Sequence, residues 1–342
     1  MYQAQTLSTI PPKNDFPKFN PFKLTHHAFI QAYLDYFQPE SCEYNFANLF
    51  TWQGKNDLFW TVFENRVIIY DATLPGAFFP LGEPMVPEEL VILSLNLKQL
   101  GLTPDFHTVP KSYIAQFSEL EKYYQVSQSR DSAEYIYDVA ALCELKGKKL
   151  RKKRNLISQF KKTHPEYRVH SFKGIYIQKA FDLVKKQRDR FKEIPRSIQQ
   201  EFYAIKKAFE YMRDLNMEGL VLEVNNKLVA FSLFSPLSQD TYDIQFEKSD
   251  HDYKGSAQII NQETACYLKD TCRFLNREQD MGIKGLRKAK LSYAPEKLII
   301  PYTLIFSPKN TRNVSSPGFE ACFPRLKNSI VCEFFSSLIF VK

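Results

Sequence analysis

The sequence predicts a mixed α/β protein built as two successive domains. Three observations carry that expectation. The chain is 342 residues long, 44% apolar and 15% aromatic, enough for two cores of average size and too much for one minimal domain. Strand signals and three-and-four apolar periodicities alternate along it instead of separating into an all-α half and an all-β half. The order helix, hairpin, helix, strand occurs twice, without the fixed short repeat of a solenoid or propeller.

The elements follow in order. Residues 1–22 carry Pro11, Pro12, Pro17 and Pro21 with no periodicity and read as an extended lead-in. Leu24, Ala28, Phe29, Ala32, Tyr33, Tyr36 and Phe37 repeat at three and four behind Thr25 as N-cap, a helix ended by Pro39. Leu58–Phe63 and Arg66–Ala72 form a hairpin over Glu64-Asn65, and a helix at 88–100 closes on Gly101. Strands are expected at 123–127 and 134–138. The second half has helices at about 148–162, 176–193 and 197–215, then a hairpin of 219–224 and 228–234 over Asn225-Asn226. A third strand at 240–247, a long helix at 255–274 and a final strand at 297–306 complete it. The domains are therefore read as 23–145 and 146–306, with 307–342 as a C-terminal extension whose aromatic end packs or mediates association.

Composition excludes several classes. No run reaches the ~18 apolar residues of a membrane helix; the longest candidate, 330–341, is broken by Glu333, Ser336 and Ser337. No basic stretch followed by an apolar one opens the chain, so a cytoplasmic protein is expected. The six cysteines, at 42, 143, 266, 272, 322 and 332, show no C-x-x-C and no nearby histidine. They are read as reduced buried thiols, with no metal site and no resident cofactor.

The order strand, strand, strand, helix, strand across 219–306 is that of the N-acetyltransferase fold. There the third strand and the strand after the helix splay apart, and the helix N-terminus faces the gap as an anion site. Here that terminus is Lys254-Gly255-Ser256-Ala257. Gly255 and Ala257 fit the second half of a Gln/Arg-x-x-Gly-x-Gly/Ala pyrophosphate motif. Asp252 stands where Gln or Arg belongs and would repel a pyrophosphate, which counts against acyl-CoA as co-substrate.

The densest charge lies in 146–162: nine Lys and Arg in seventeen residues, with no acid. The whole chain carries only +8, so the charge is clustered, and like charges at i,i+4 repel unless something anionic offsets them. Phosphate is the natural partner, with tRNA ahead of lipid headgroups because no amphipathic anchor is evident. On a helical wheel Lys153 falls inside the apolar arc of Leu150, Leu156, Ile157 and Phe160, which calls for a partner such as a carboxylate. The polar stretch 274–297 reads as a long functional loop lining the main cleft of the second domain, with Glu278 and Arg287 facing inward.

Three segments carry a family resemblance: EYIYDVAALCELKGKKLRKKRNLISQF (134–160), YKGSAQIINQE (253–263) and FLNREQDMGIKGLRKAKLSYAPEKL (274–298). Over roughly residues 20–306 the chain resembles the C-terminal catalytic domain of phosphatidylglycerol lysyltransferases, and more closely the stand-alone members of that family. The resemblance implies two tandem N-acetyltransferase-like domains sharing an interdomain basic helix, similar to Fem-type peptidyltransferases, and aminoacyl transfer from charged tRNA. The matched positions are Lys148, Lys149, Lys152, Lys153, Arg154 and Asn155 in the basic helix, then Gly255, Gln258 and Asn261. They continue through Asn276, Arg277, Glu278, Asp280, Gly282, Gly285, Leu286, Arg287, Lys288, Lys290 and Tyr293. Without a transmembrane domain to present it, the lipid acceptor does not carry over, and peripheral lipid contact is left open.

Aminoacyl transfer needs positioning, a proton acceptor and a charge facing the tetrahedral oxyanion. Glu247 and Glu278 are the carboxylates placed nearest the gap, and Lys290 and Arg287 supply positive charge. Glu247, Glu278 and Lys290 are thus the expected catalytic residues, and Lys254 joins the matched residues of the binding set. Two alternatives remain: an acyl-CoA-dependent N-acyltransferase, and a non-catalytic module that binds tRNA or another anion. Acceptor and transferred group are not specified by the sequence.

Overall fold

The computed structural model describes residues 15–54 and 58–307. The expected extension 307–342 falls, apart from Ser307, outside the described residues, as do Cys322 and Cys332. The chain runs β1 (Asn20–Pro21), α1 (His27–Phe37), α2 (Phe46–Trp52), β2 (Leu58–Phe63), β3 (Arg66–Asp71), β4 (Gly76–Phe78), α3 (Pro87–Gln99), β5 (Phe106–Val109), α4 (Lys111–Gln116) and β6 (Tyr124–Gln128). It continues with β7 (Glu134–Asp138), α5 (Val139–Glu144), α6 (Arg151–Thr163), β8 (Arg168–Ser171), α7 (Ile177–Arg188), α8 (Arg196–Tyr211), β9 (Glu218–Val224) and β10 (Lys227–Pro236). The last elements are β11 (Thr241–Ser249), α9 (Ser256–Leu268), β12 (Phe274–Gln279), α10 (Lys284–Leu291), β13 (Lys297–Ile299) and β14 (Tyr302–Phe306).

These elements build two mixed seven-stranded sheets, ordered β1-β2-β3-β4-β5-β14-β6 and β13-β7-β12-β11-β10-β9-β8. The plan is the same in both. Three antiparallel strands (β2–β4, β9–β11) lead through one helix (α3, α9) to a parallel neighbour (β5, β12). That is the topology expected of a tandem N-acetyltransferase-like protein. Both hairpin turns put their central residues at positive φ, Glu64 and Asn65 at 46° and 62°, Asn225 and Asn226 at 50° and 62°, the twist that matches flanking strands.

The chain divides into two compact units, Met1–Tyr33 with Gly54–Gln128 and Pro301–Lys342, and Leu34–Gln53 with Ser129–Ile300. The interleaving follows from the strands. β7 follows β6 in the chain yet joins the second sheet between β12 and β13, and β14 follows β13 yet joins the first sheet between β5 and β6. The single final strand expected at 297–306 is therefore two strands in different sheets, separated at Pro301, which has no N–H to give a ladder.

The core of the first unit includes Ile68, Leu90, Leu93 and Phe106; that of the second includes Phe160, Leu222, Val229, Phe234, Ile259 and Leu275. Several expectations are corrected. Thr25 caps nothing: a 3₁₀ turn at Leu24–His26 precedes α1. The basic helix starts at Arg151, because Lys148–Leu150 form a turn behind Gly147 at φ 86°. The long helix ends at Leu268, not 274. The polar stretch 274–297 is no loop but β12, α10 and the start of β13; the polar side chains of β12 are met by Glu134, Glu247 and Asn48 from other elements, which hides the strand from any apolar pattern.

The cysteine expectation is also corrected. Cys143 of α5 and Cys266 of α9 are joined in a disulfide, their Cα atoms 4.7 Å apart. The two helices pack side by side, which a separation of 123 residues conceals in the sequence. Cys42 and Cys272 are free.

Candidate active site

β11 pairs with β12 only from Thr241 to Asp243, against Phe274 to Asn276, although β11 runs on to Ser249. Beyond that point the parallel strands part, as expected of this fold. On the other side of β12 the register to β7 shifts between Asn276 and Gln279, a bulge in which Glu278 takes a left-handed φ of 53°. A non-glycine residue there costs about 1–3 kcal/mol and must be held by its surroundings. Lys290 of α10 holds it: its ammonium donates to the carbonyls of Arg277 (2.5 Å), Glu278 (3.1 Å) and Gln279 (2.6 Å).

The bulge places Glu278 in a buried group of acids. Asn48 Nδ2 donates to Glu278 Oε1 and to Asp243 Oδ2, both at 2.9 Å, and to the Cys42 carbonyl at 3.1 Å. Single ligand atoms from Cys42, Asp243 and Glu278 all lie within 4.8 Å of one another. Glu134, fully buried on β7, accepts from Ser41 Oγ (2.5 Å), the Cys42 amide (2.9 Å) and Asn276 Nδ2 (2.5 Å). Burial raises the carboxyl of Glu278, and neighbouring Glu43 and Glu134 raise it further against the pull of Lys290 and Asn48. Asp243 is pushed well above the carboxylate range by burial and then by Glu278 and Glu134. Burial lowers the Lys290 ammonium, opposed by Glu278.

Further along β11, Glu247 Oε1 pairs with Arg277 Nη2 at 3.0 Å while Asn261 Nδ2 reaches Glu247 Oε2 at 3.3 Å. The Arg277 guanidinium lies 5.6 Å from the Tyr137 ring and 5.1 Å from the Tyr293 ring, and its Nη1 has no hydrogen-bond partner. Lys153 does project inward from α6, but onto the Tyr293 ring at 3.9 Å and not onto a carboxylate. Burial and then Arg277 lower its amine, against Glu247. Gln258 bonds the Tyr293 side chain.

Three other expected site residues are committed to structure. Asp280, fully buried, accepts from Arg287 Nε (2.8 Å) and Nη2 (2.7 Å), Tyr135 Oη (2.5 Å) and Arg130 Nη1 (3.2 Å). Arg287 also binds Asp131 at 2.6 Å. Arg154 donates to the carbonyls of Leu145 and Gly147, closing the end of α5. Arg287 is thereby committed to acids, and Arg154 Nη1 to backbone carbonyls. Lys290 is likewise spent on backbone carbonyls rather than facing an oxyanion.

The expected anion site at the start of α9 is closed. Gly255, at φ 101°, sits against α6 so tightly that a Cβ would come within 2.7 Å of the Leu156 carbonyl. Ser256 is buried and bonds the Asp250 carbonyl at 3.2 Å. Asp252 pairs with Lys186 at 2.5 Å; Lys254 is exposed. Around α6 the side chains of Lys148, Lys149, Arg151, Lys152 and Asn155 are exposed. Bases crowded at a helix N-terminus add to the positive end of its dipole. A separate open cleft of about 400 Å³ is bounded by Glu144, Arg154, Ile157, Ser158, Lys161, Lys162 and Gln262. Glu278 faces the gap between β11 and β12, and Arg287 is turned onto buried Asp280.

Sequence reasoning missed Cys42, Asn48, Glu134 and Asp243. Cys42 and Asn48 come from a segment that joins the second unit from far upstream. Glu134 and Asp243 are acids in strands otherwise rich in aromatic and β-branched residues, and that break in pattern was the available signal.

Fold and site together define a tandem N-acetyltransferase-like protein with an acid-lined, strand-gap site in its second unit. The chain belongs to the family of phosphatidylglycerol lysyltransferase C-terminal domains, whose model matches residues 35–305. A conserved protein of unknown function from Bacteroides thetaiotaomicron is similar in structure, with a TM-score of 0.78 and 27% identity over 84% of this chain and 99% of that one. L-PGS from Bacillus licheniformis has a TM-score of 0.58 and 15% identity, covering 81% of this chain and 91% of that one. An uncharacterised protein of Mycoplasmoides gallisepticum is 24% identical over 247 residues, 68% of this chain and 76% of that one. No helix among the described residues is long and apolar enough to cross a membrane.

Proposed function

We propose that the protein is an aminoacyl transferase that takes its acyl group from charged tRNA, binds the carrier along the exposed bases around α6, and uses Glu278 to accept the proton of the attacking nucleophile. One observation carries the reading: the β12 bulge turns Glu278 into the gap between β11 and β12, with Oε1 fixed by Asn48. The family's description names a lysyl transfer, and an ester of tRNA is a donor that needs no cofactor.

The acceptor's N–H or O–H gives its proton to Glu278 while its heavy atom bonds the ester carbonyl. The resulting oxyanion faces Arg277, whose buried Nη1 has no other partner. Collapse breaks the carbonyl bond to the tRNA ribose oxygen, which leaves with the proton returned by Glu278. General base catalysis of this kind contributes roughly 10²–10⁴-fold. Acyl-CoA is the weaker donor because the start of α9 is covered by α6.

The experiment is to incubate the protein with a panel of charged tRNAs and cell extract and follow the labelled aminoacyl group. Movement of label from one tRNA to a new acceptor is the expected result. Label that stays on every tRNA, with thermal stabilisation by CoA esters instead, would contradict it.

A further inference from the structure

The buried acid group next to Glu278 has more acceptors than donors. Glu134, Asp243 and Glu278 converge there with the Cys42 thiol, and the nearest ammonium, Lys290, has given its hydrogens to three backbone carbonyls. Two oxygens are left over. Asp243 is fully buried and its Oδ1 has no hydrogen-bond partner. Asn48 is 7% exposed; its Nδ2 touches both carboxylates, yet its Oδ1 has no partner either. Buried oxygens without donors lose the full desolvation cost of a polar group, and a cation is the species that satisfies several at once.

The donor set selects the kind of cation. Hard ions such as magnesium and calcium take all-oxygen shells, whereas a sulfur among carboxylates suits a borderline ion of the zinc class. Zinc bonds sulfur at about 2.3 Å and carboxylate oxygen at about 2.0–2.2 Å. Tetrahedral ligand atoms are then roughly 3.5 Å apart, so atoms within 4.8 Å need to close by about an ångström. We propose that Cys42, Asp243 and Glu278 form a site for a zinc-class divalent cation, with solvent completing its shell, and that filling it withdraws Glu278 from transfer. The blocking role rests on the reading of Glu278 as proton acceptor; the binding site does not. Binding releases to solvent the thiol proton and the protons that burial holds on the Asp243 and Glu278 carboxyls, and replaces them with metal–sulfur and metal–oxygen bonds, with no change of oxidation state.

The test uses the full chain and Co²⁺ as a visible probe. About one equivalent should bind with a thiolate-to-cobalt charge-transfer band and the visible bands of a four-coordinate ion, and Zn²⁺ should bleach both. Cys42→Ser should lose the charge-transfer band, and Asp243→Asn should weaken binding at least about tenfold, with circular dichroism confirming that each variant folds. Zn²⁺ should also inhibit aminoacyl transfer, and EDTA should restore it. A folded wild type that binds no Co²⁺, or a charge-transfer band that survives in Cys42→Ser, overturns the site. A metal-loaded protein that still transfers at full rate overturns the blocking role and the assignment of Glu278, while the spectroscopic site stands.

Discussion

The two sheets share one strand plan and differ in what they bury where the parallel pair meets. In the first unit, β4 and β5 meet through Ala77 against Phe106 and Phe78 against half-buried His107. The buried polar side chains of that unit, Thr61, Ser94 and Asn96, are neutral. In the second unit, β11 and β12 meet at Asp243 and Asn276, and the buried side chains include Glu134, Asp243, Asp250 and Asp280. Among the described residues, every carboxylate in the buried class belongs to the second unit. Topology supplies a parallel pair of strands twice; what differs is the side chains set there and the β12 bulge that turns Glu278 toward Asn48.

The largest effect on stability is expected at Asp280. Arg287 holds its carboxyl well below the usual carboxylate range, outweighing burial, with help from Tyr135 and Gly282. Asp280→Asn leaves Arg287 and Arg130 facing a neutral group and should cost about 3 kcal/mol at pH 7, read from urea midpoints. Because the folded carboxyl titrates below the unfolded one, its contribution is present above about pH 4 and disappears as the pH falls further. The gap between wild type and variant should therefore shrink below about pH 4; a gap that stays constant to pH 2 would mean the network is not ionic.

Gly255→Ala comes next. It puts a Cβ within 2.7 Å of the Leu156 carbonyl at a φ of 101°, at an expected cost of about 2 kcal/mol. A thermal melt unchanged within a degree would show that α6 is not seated on the start of α9. Reversing Lys148 and Lys152 to Glu should weaken tRNA binding at least about tenfold with the melt unchanged. Three or four phosphate contacts give a slope of log K against log salt of about −2 to −4, and the double variant should flatten it by about 2. Salt-independent binding by wild type would remove α6 from the account. The smallest effect should be in the first unit. Thr61→Val removes a buried hydroxyl that has no partner, and should leave transfer intact and shift stability by less than about 1 kcal/mol. A large loss of transfer would show that the first unit has chemistry of its own.

Much of this fold was legible. The hairpins over Glu64-Asn65 and Asn225-Asn226 and the helix closed by Gly101 follow from local turn chemistry and periodicity, and the splay after the third strand from the likeness of the element order to the N-acetyltransferase fold. β12 was not, because Asn276, Arg277 and Glu278 are satisfied by Glu134, Glu247 and Asn48, partners 142, 30 and 230 residues away. The same distance hid the Cys143–Cys266 pair. Glu278 itself was legible as a carboxylate near the gap. That Lys290 acts on the backbone beneath it, and that Arg154 and Arg287 are tied to carbonyls and acids, depends on side-chain geometry that spacing does not encode.

The central claim is that Glu278 accepts a proton in aminoacyl transfer. Single-turnover transfer from the cognate charged tRNA should be measured for wild type and Glu278→Gln at saturating protein, alongside tRNA affinity by gel shift. The account predicts a rate at least about 100-fold lower in the variant, with affinity unchanged within about threefold. A variant that transfers at the wild-type rate, or loses rate only in proportion to lost tRNA binding, would contradict it.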